Sequence, residues 1–170
     1  MAERPPAEPR VAFVLGGGGN MGAYEVGMLA ALLERAIVPD LIVGNSVGAL
    51  NGAAVAADPT TETVDRLRHV WVNLDGERIF GGSPFAPAAN ILRRGATHLH
   101  SNRALRQLVE QLLPAKRFED LKVPFQCVAA SIERAAEHWF SEGPLVEAIL
   151  ASCALPGVLP VMEVEGEHFM

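Results

Sequence analysis

A serine flanked by glycines is the residue in this chain best placed to do chemistry. It lies in "LIVGNSVGAL" (residues 41–50), where Gly44, Asn45, Ser46, Val47 and Gly48 form a Gly-x-Ser-x-Gly pattern. An apolar run precedes the pattern and a run of small residues follows it. Where such a pattern joins a buried strand to a helix, a sharp turn lifts the serine hydroxyl clear of the sheet. The dipole of the following helix favours negative charge near that hydroxyl. The chemistry this allows is nucleophilic attack by Ser46 on an acyl carbon. As an isolated pattern it is equally compatible with a small residue at a strand–helix junction.

A second glycine cluster, "GGGGNMG" (residues 16–22), contains Gly-x-Gly-x-x-Gly as Gly17, Gly19 and Gly22. Glycines let backbone N–H groups approach a ligand closely, and a helix N-terminus adds partial positive charge. Two anions suit such a loop: a pyrophosphate, or the oxyanion of an acyl-transfer intermediate. The dinucleotide reading expects an acidic residue at the end of the second strand, about 20 residues on. Asp40 has roughly that spacing but precedes the strand, whose end carries Gly44, Asn45 and Ser46. The oxyanion reading complements the serine. Both loops would lie at the C-terminal ends of parallel strands, where ligands bind in open α/β sheets.

The elements that must position these loops are legible in the hydrophobic pattern. Residues 11–15 and 41–44 read as short buried strands. Between them, Ala23, Val26, Gly27, Ala30 and Leu33 recur at helical spacing over 20–35. A small-residue helix is expected over 46–57, and an amphipathic helix over 61–73 with Val64, Leu67, Val70 and Trp71 on one face. Residues 81–90, "GGSPFAPAAN", read as an apolar Gly/Pro loop. A further helix is expected over 102–113, a third strand over 124–133 and an antiparallel return at 138–140. A helix with Pro144 in its first turn should span 144–152. A final hairpin should turn at Glu165 and Gly166. The order predicts an α/β fold with a mostly parallel central sheet flanked by helices. Residues 1–10 read as a disordered tail and 11–170 as one domain. The chain stops at Met170 within a strand-like pattern, so the domain is expected to be C-terminally incomplete.

Bulk properties narrow the class. With 170 residues, 49% of them apolar, the chain can bury a core. Its net charge is −6 without a basic stripe, which argues against a nucleic-acid partner. Cys127 and Cys153 lack zinc or redox spacing and read as small buried hydrophobes in a reducing compartment. The N-terminus lacks the apolar stretch of a secretion signal, so a cytoplasmic location is expected.

Several segments in the right order resemble the patatin-like phospholipase family. They are the glycine loop with "GAYEVGML", the elbow "GNSVGALNGA", the stretch "FEDLKVPFQCVAASIE", and "AILASCALPGVLPV". The resemblance implies an α/β core related to the α/β hydrolases and a Ser-Asp dyad that hydrolyses lipid acyl esters. No metal or organic cofactor is implied. It makes Ser46 the nucleophile and assigns the oxyanion to backbone amides of Gly17, Gly18 and Gly19. It also allows transient contact with a membrane surface, and it leaves the oligomeric state open.

The chain departs from the family in two ways. Met21 stands where the family usually has arginine, and the family's Asp-Gly-Gly or Asp-Gly-Ala motif is expected just beyond Met170. Asp40, Asp58, Asp65, Asp75 and Asp120 do not match the position of the family's aspartate. His138 and His168 lie late in the chain, where a triad base could stand, but structural roles are expected for them, as for His69, His98 and His100. Trp71, Trp139 and Phe140 are expected in the core, Pro156 and Pro160 in a pocket wall, and Arg66, Arg68, Arg93 and Arg94 in solvent. Two other readings stand beside the hydrolase: a catalytically inactive lipid- or partner-binding module, and a dinucleotide-binding domain.

Overall fold

The computed structural model describes residues 10–74 and 101–170. Readings that fall on the N-terminal tail, on the Gly/Pro loop at 81–90, and on Asp75, Arg93, Arg94, His98 and His100 lie outside the described residues. The described chain runs β1 (Ala12–Leu15), α1 (Gly22–Leu33), β2 (Leu41–Asn45), α2 (Val47–Ala57) and α3 (Thr61–Val72). It continues with α4 (Arg103–Leu112), β3 (Phe125–Ser131), β4 (Ala136–Phe140), α5 (Leu145–Ser152), β5 (Met162–Val164) and β6 (Glu167–Phe169).

β1, β2 and β3 are parallel neighbours, with Leu15 beside Gly44 and Gly44 beside Cys127. β4 and β6 pair antiparallel to β3, and β5 pairs antiparallel to β6. Strands β1, β2, β3 and β5 therefore share one direction, giving a mixed but mostly parallel sheet. The last hairpin turns where the sequence predicts: Glu165 (φ 51) and Gly166 (φ 83) are both left-handed, as a type I′ turn requires.

Side chains alternate along the strands. Phe13, Leu15, Ile42, Phe125, Cys127, Ala129 and Phe140 point into the core, where α2 and α5 pack on the sheet. On the opposite face Val14 is 75% exposed and Trp139 is 48% exposed. Trp139 is therefore not a core residue, contrary to expectation. It pairs with Val128, and that register directs it to the open face. The buried stripe of α1 is Gly22, Val26, Leu29, Ala30 and Leu33. Ala23 and Gly27 face solvent instead, one step off the core side of the helix. Pro144 caps α5 from outside its first turn.

α2 explains its composition. Its residues from Val47 to Ala56 are all buried, and six of them are alanine or glycine, with Gly48 and Gly52 lying against the strands. Small side chains let the helix axis approach the sheet closely, which fixes the height of the β2–α2 junction above the strand ends. No helix among the described residues is long and apolar enough to cross a membrane.

Candidate active site

Ser46 occupies the single residue between β2 and α2, with φ 52 and ψ −121. A side chain held at positive φ costs about 1–3 kcal/mol and persists only where the surroundings over-determine it. Here they do. A Cβ at Gly44 would stand 2.6 Å from the Ala49 Cα and the Gly48 carbonyl oxygen. A Cβ at Gly48 would stand 2.4 Å from the Leu15 carbonyl oxygen and 2.6 Å from that of Gly16. Both glycines are therefore required by backbone contact. The Ser46 carbonyl accepts from Ala49 N (2.9 Å) and Leu50 N (3.3 Å), which starts α2. The Ser46 N–H donates to Ser152 Oγ at 2.8 Å.

The first glycine loop folds over this junction. A Cβ at Gly17 would lie 3.2 Å from Asn45 Nδ2 and 3.4 Å from Ser46 Cβ, so the loop backbone touches the serine. Gly18 (φ 151) and Gly19 (φ 57) sit at positive φ, which favours glycine, and a short 3₁₀ turn at Gly19–Met21 leads into α1. Gly22 fits because a Cβ there would meet Val47 Cγ2 at 2.4 Å and the Trp71 ring at 2.6 Å. Met21, in the position of the family's arginine, is 61% exposed.

A buried polar network ties the loop to the elbow helix. Asn51, fully buried one turn along α2, donates from Nδ2 to the Gly22 carbonyl (3.0 Å) and to Glu25 Oε2 (2.9 Å). Its Oδ1 accepts from Trp71 Nε1 at 3.0 Å. Burial raises the Glu25 pKa, and the Asn51 bond and the neighbouring Gly16 backbone hold it back.

Each described aspartate is engaged elsewhere. Asp40 accepts from Val11 N at 2.7 Å, which ties down the start of β1. Asp58 caps α3 through Thr60 and pairs with Lys122 at 2.6 Å. Asp65 pairs with Arg68, and Asp120 accepts from Arg117 N. His168 pairs with Glu133 at 2.7 Å, and His138 packs edge-on against Phe140. Among the described residues, none of these groups is bonded to Ser46. No cluster of metal-ligating residues occurs among them either.

Sequence reasoning missed Ser152, Cys153, Glu25 and Asn51. Cys153 is a free cysteine next to Ser152 at the C-terminal end of α5. Burial pushes that thiol up to about 12, so it stays protonated. Cys127 is buried and its thiol is raised further. Ser152 also lines a cleft of about 290 Å³ with Asn45, Val128, Ala130 and Met170. Pro156 and Pro160, expected in the pocket wall, do not line it. A larger cleft, about 360 Å³, lies around Arg117, Arg134 and Glu167 and contains no residue of either glycine loop.

The family model for patatin-like phospholipase matches residues 13–170. An uncharacterized NTE family protein of Mycobacterium tuberculosis is 34% identical over 164 residues, which is 96% of this chain and 42% of that protein. Human patatin-like phospholipase domain-containing protein 6 is 29% identical over 150 residues, covering 88% of this chain and 10% of that protein. This chain therefore spans less than half the length of these relatives. Among solved structures, VipD from Legionella pneumophila superposes with TM-score 0.61 at 14% identity, covering 96% of this chain and 45% of VipD. ExoU from Pseudomonas aeruginosa, in complex with SpcU, gives 0.59 at 16% identity, covering 89% and 39%. These two share the fold.

Proposed function

The chain belongs to the patatin-like phospholipase family, and from that premise we propose that it is a serine hydrolase of lipid acyl esters with Ser46 as nucleophile. The observation that carries the reading is the strained Ser46 backbone at the β2–α2 junction, with the first glycine loop in contact with it. Strain of this kind collects at functional sites because it fixes a side chain in one direction.

In this reading Ser46 Oγ attacks the ester carbonyl while a base takes its proton. Negative charge develops on the carbonyl oxygen, and the N–H groups of Gly17, Gly18 and Gly19 stabilise it together with the α2 dipole. Oxyanion donors of this kind are worth roughly 3–4 kcal/mol each. The alcohol leaves with the proton, and water then releases the fatty acid from the acyl-enzyme. No metal or organic cofactor takes part.

The base in this reading is the family's aspartate, placed by resemblance after the segment 164–170. Support comes from the position of Met170, which pairs with Ala130 in both directions and borders the cleft with Asn45 and Ser152. The engagement of every described aspartate favours a second reading for residues 1–170 taken alone: an inactive module that binds lipid. Fatty-acid release from phosphatidylcholine and lysophosphatidylcholine vesicles separates the two. The hydrolase reading predicts release by the protein expressed from its full reading frame, and loss of release in Ser46→Ala. Vesicle binding without release in both forms would overturn it.

A further inference from the structure

The C-terminus of α5 meets the elbow at Ser152, whose Oγ accepts the Ser46 N–H at 2.8 Å. α5 is a firm platform for this contact, since six of its residues, Leu145, Val146 and Ala148 to Ala151, are buried. The hydrogen bond spans 106 positions in sequence and joins the β2–α2 turn to the end of a helix that packs on β3.

The Ser46 N–H needs such a partner: Ser46 lies between β2 and α2, and among the described residues its N–H has no backbone acceptor, only the Ser152 hydroxyl. A backbone donor at a part-buried site without an acceptor is costly, and the turn could relieve that cost by rotating toward an ordinary φ. Rotation would swing the hydroxyl off the axis that the glycine loop faces.

We infer that Ser152 is a positioning residue for the hydrolase: its hydroxyl clamps the Ser46 amide and so holds the nucleophile in its strained, attacking orientation. This rests on the reading of Ser46 as nucleophile. Ser152 touches no reacting atom. It acts through the Ser46 backbone, so it should affect the chemical step and leave substrate binding alone.

The test compares Ser152→Ala and Ser152→Thr with the unmodified protein, all expressed from the full reading frame. Two readouts are taken: hydrogen exchange of the Ser46 amide, and kcat and KM for a p-nitrophenyl acyl ester. In Ser152→Ala the Ser46 amide should exchange about tenfold faster, and kcat should fall about tenfold with KM unchanged. The melting temperature should fall by no more than about 5 °C. Ser152→Thr restores an acceptor and should recover kcat to within about threefold. Unchanged exchange at Ser46 in Ser152→Ala would overturn the clamp. A loss of kcat that tracks melting and is not recovered by threonine would overturn it too. If the unmodified protein shows no turnover, the hydrolase reading fails, while amide exchange still decides whether Ser152 clamps the turn.

Discussion

Gly48→Ala is the sharpest structural perturbation of the elbow. A Cβ there would sit 2.4 Å from the Leu15 carbonyl oxygen and 2.6 Å from the Leu15 carbon and the Gly16 oxygen. Ordinary contact begins near 3.4 Å, so α2 and the root of the glycine loop must separate by about 1 Å. The opposing atoms are backbone and cannot rotate away. Overpacking of this kind costs about 1–3 kcal/mol, which for a domain of this length lowers the melting temperature by roughly 3–10 °C. The effect on chemistry should be larger, because a displacement of about 1 Å between reacting groups can cost about 100-fold in rate. The assay is the second-order rate of labelling by a fluorophosphonate, with thermal melting alongside. Gly27→Ala is the control. Gly27 lies on the exposed side of α1 with nothing within 4 Å of a new Cβ, so alanine there should stabilise the protein by about 0.5–1 kcal/mol. If Gly48→Ala labels at the unmodified rate and melts within about 1 °C, the packing argument is wrong.

Two further expectations follow from the polar contacts. Asn51→Leu leaves the Trp71 N–H and the Gly22 carbonyl without their partner and removes a donor to Glu25. It should cost roughly 2 kcal/mol, read as a fall of about 5 °C in melting temperature; an unchanged melt would show that the network is not structural. His168 is raised above 6.5 mainly by its hydrogen bond to Glu133, whose own pKa that bond lowers from 4.5. The His168 contribution is complete below 6.5 and is lost as pH rises through its folded pKa. The Glu133 contribution is present above 4.5 and is lost as pH falls through its lowered value. Titration of the His168 ring by NMR should give a midpoint above 6.5 that returns toward it in Glu133→Gln. An unmoved midpoint would sink the pairing.

How far sequence reading reached depended on whether a signal was local. Strands, the elbow and the final hairpin are set by short-range patterns: an apolar run ending in glycine, or Glu165-Gly166 between alternating residues. All of these appear within a residue or two of their expected bounds. The glycines of both loops were legible by type, but the reason each is required lies in a partner elsewhere. Gly48 faces Leu15, and Gly22 faces Trp71. Ser152 and Asn51 were invisible as site-supporting residues because their roles rest on contacts across 106 and 26 positions. Trp139 went wrong for a related reason. Its face is decided by the register of β4 on β3, and composition carries no register.

The central claim is that Ser46 is the nucleophile of an acyl hydrolase. The most direct measurement is covalent labelling of the protein, expressed from its full reading frame, with a fluorophosphonate, followed by mass-spectrometric mapping of the modified peptide. The account predicts one adduct per chain, on Ser46, and no adduct in Ser46→Ala. Turnover of an acyl ester with no adduct at Ser46, or an adduct that persists in Ser46→Ala, would contradict it.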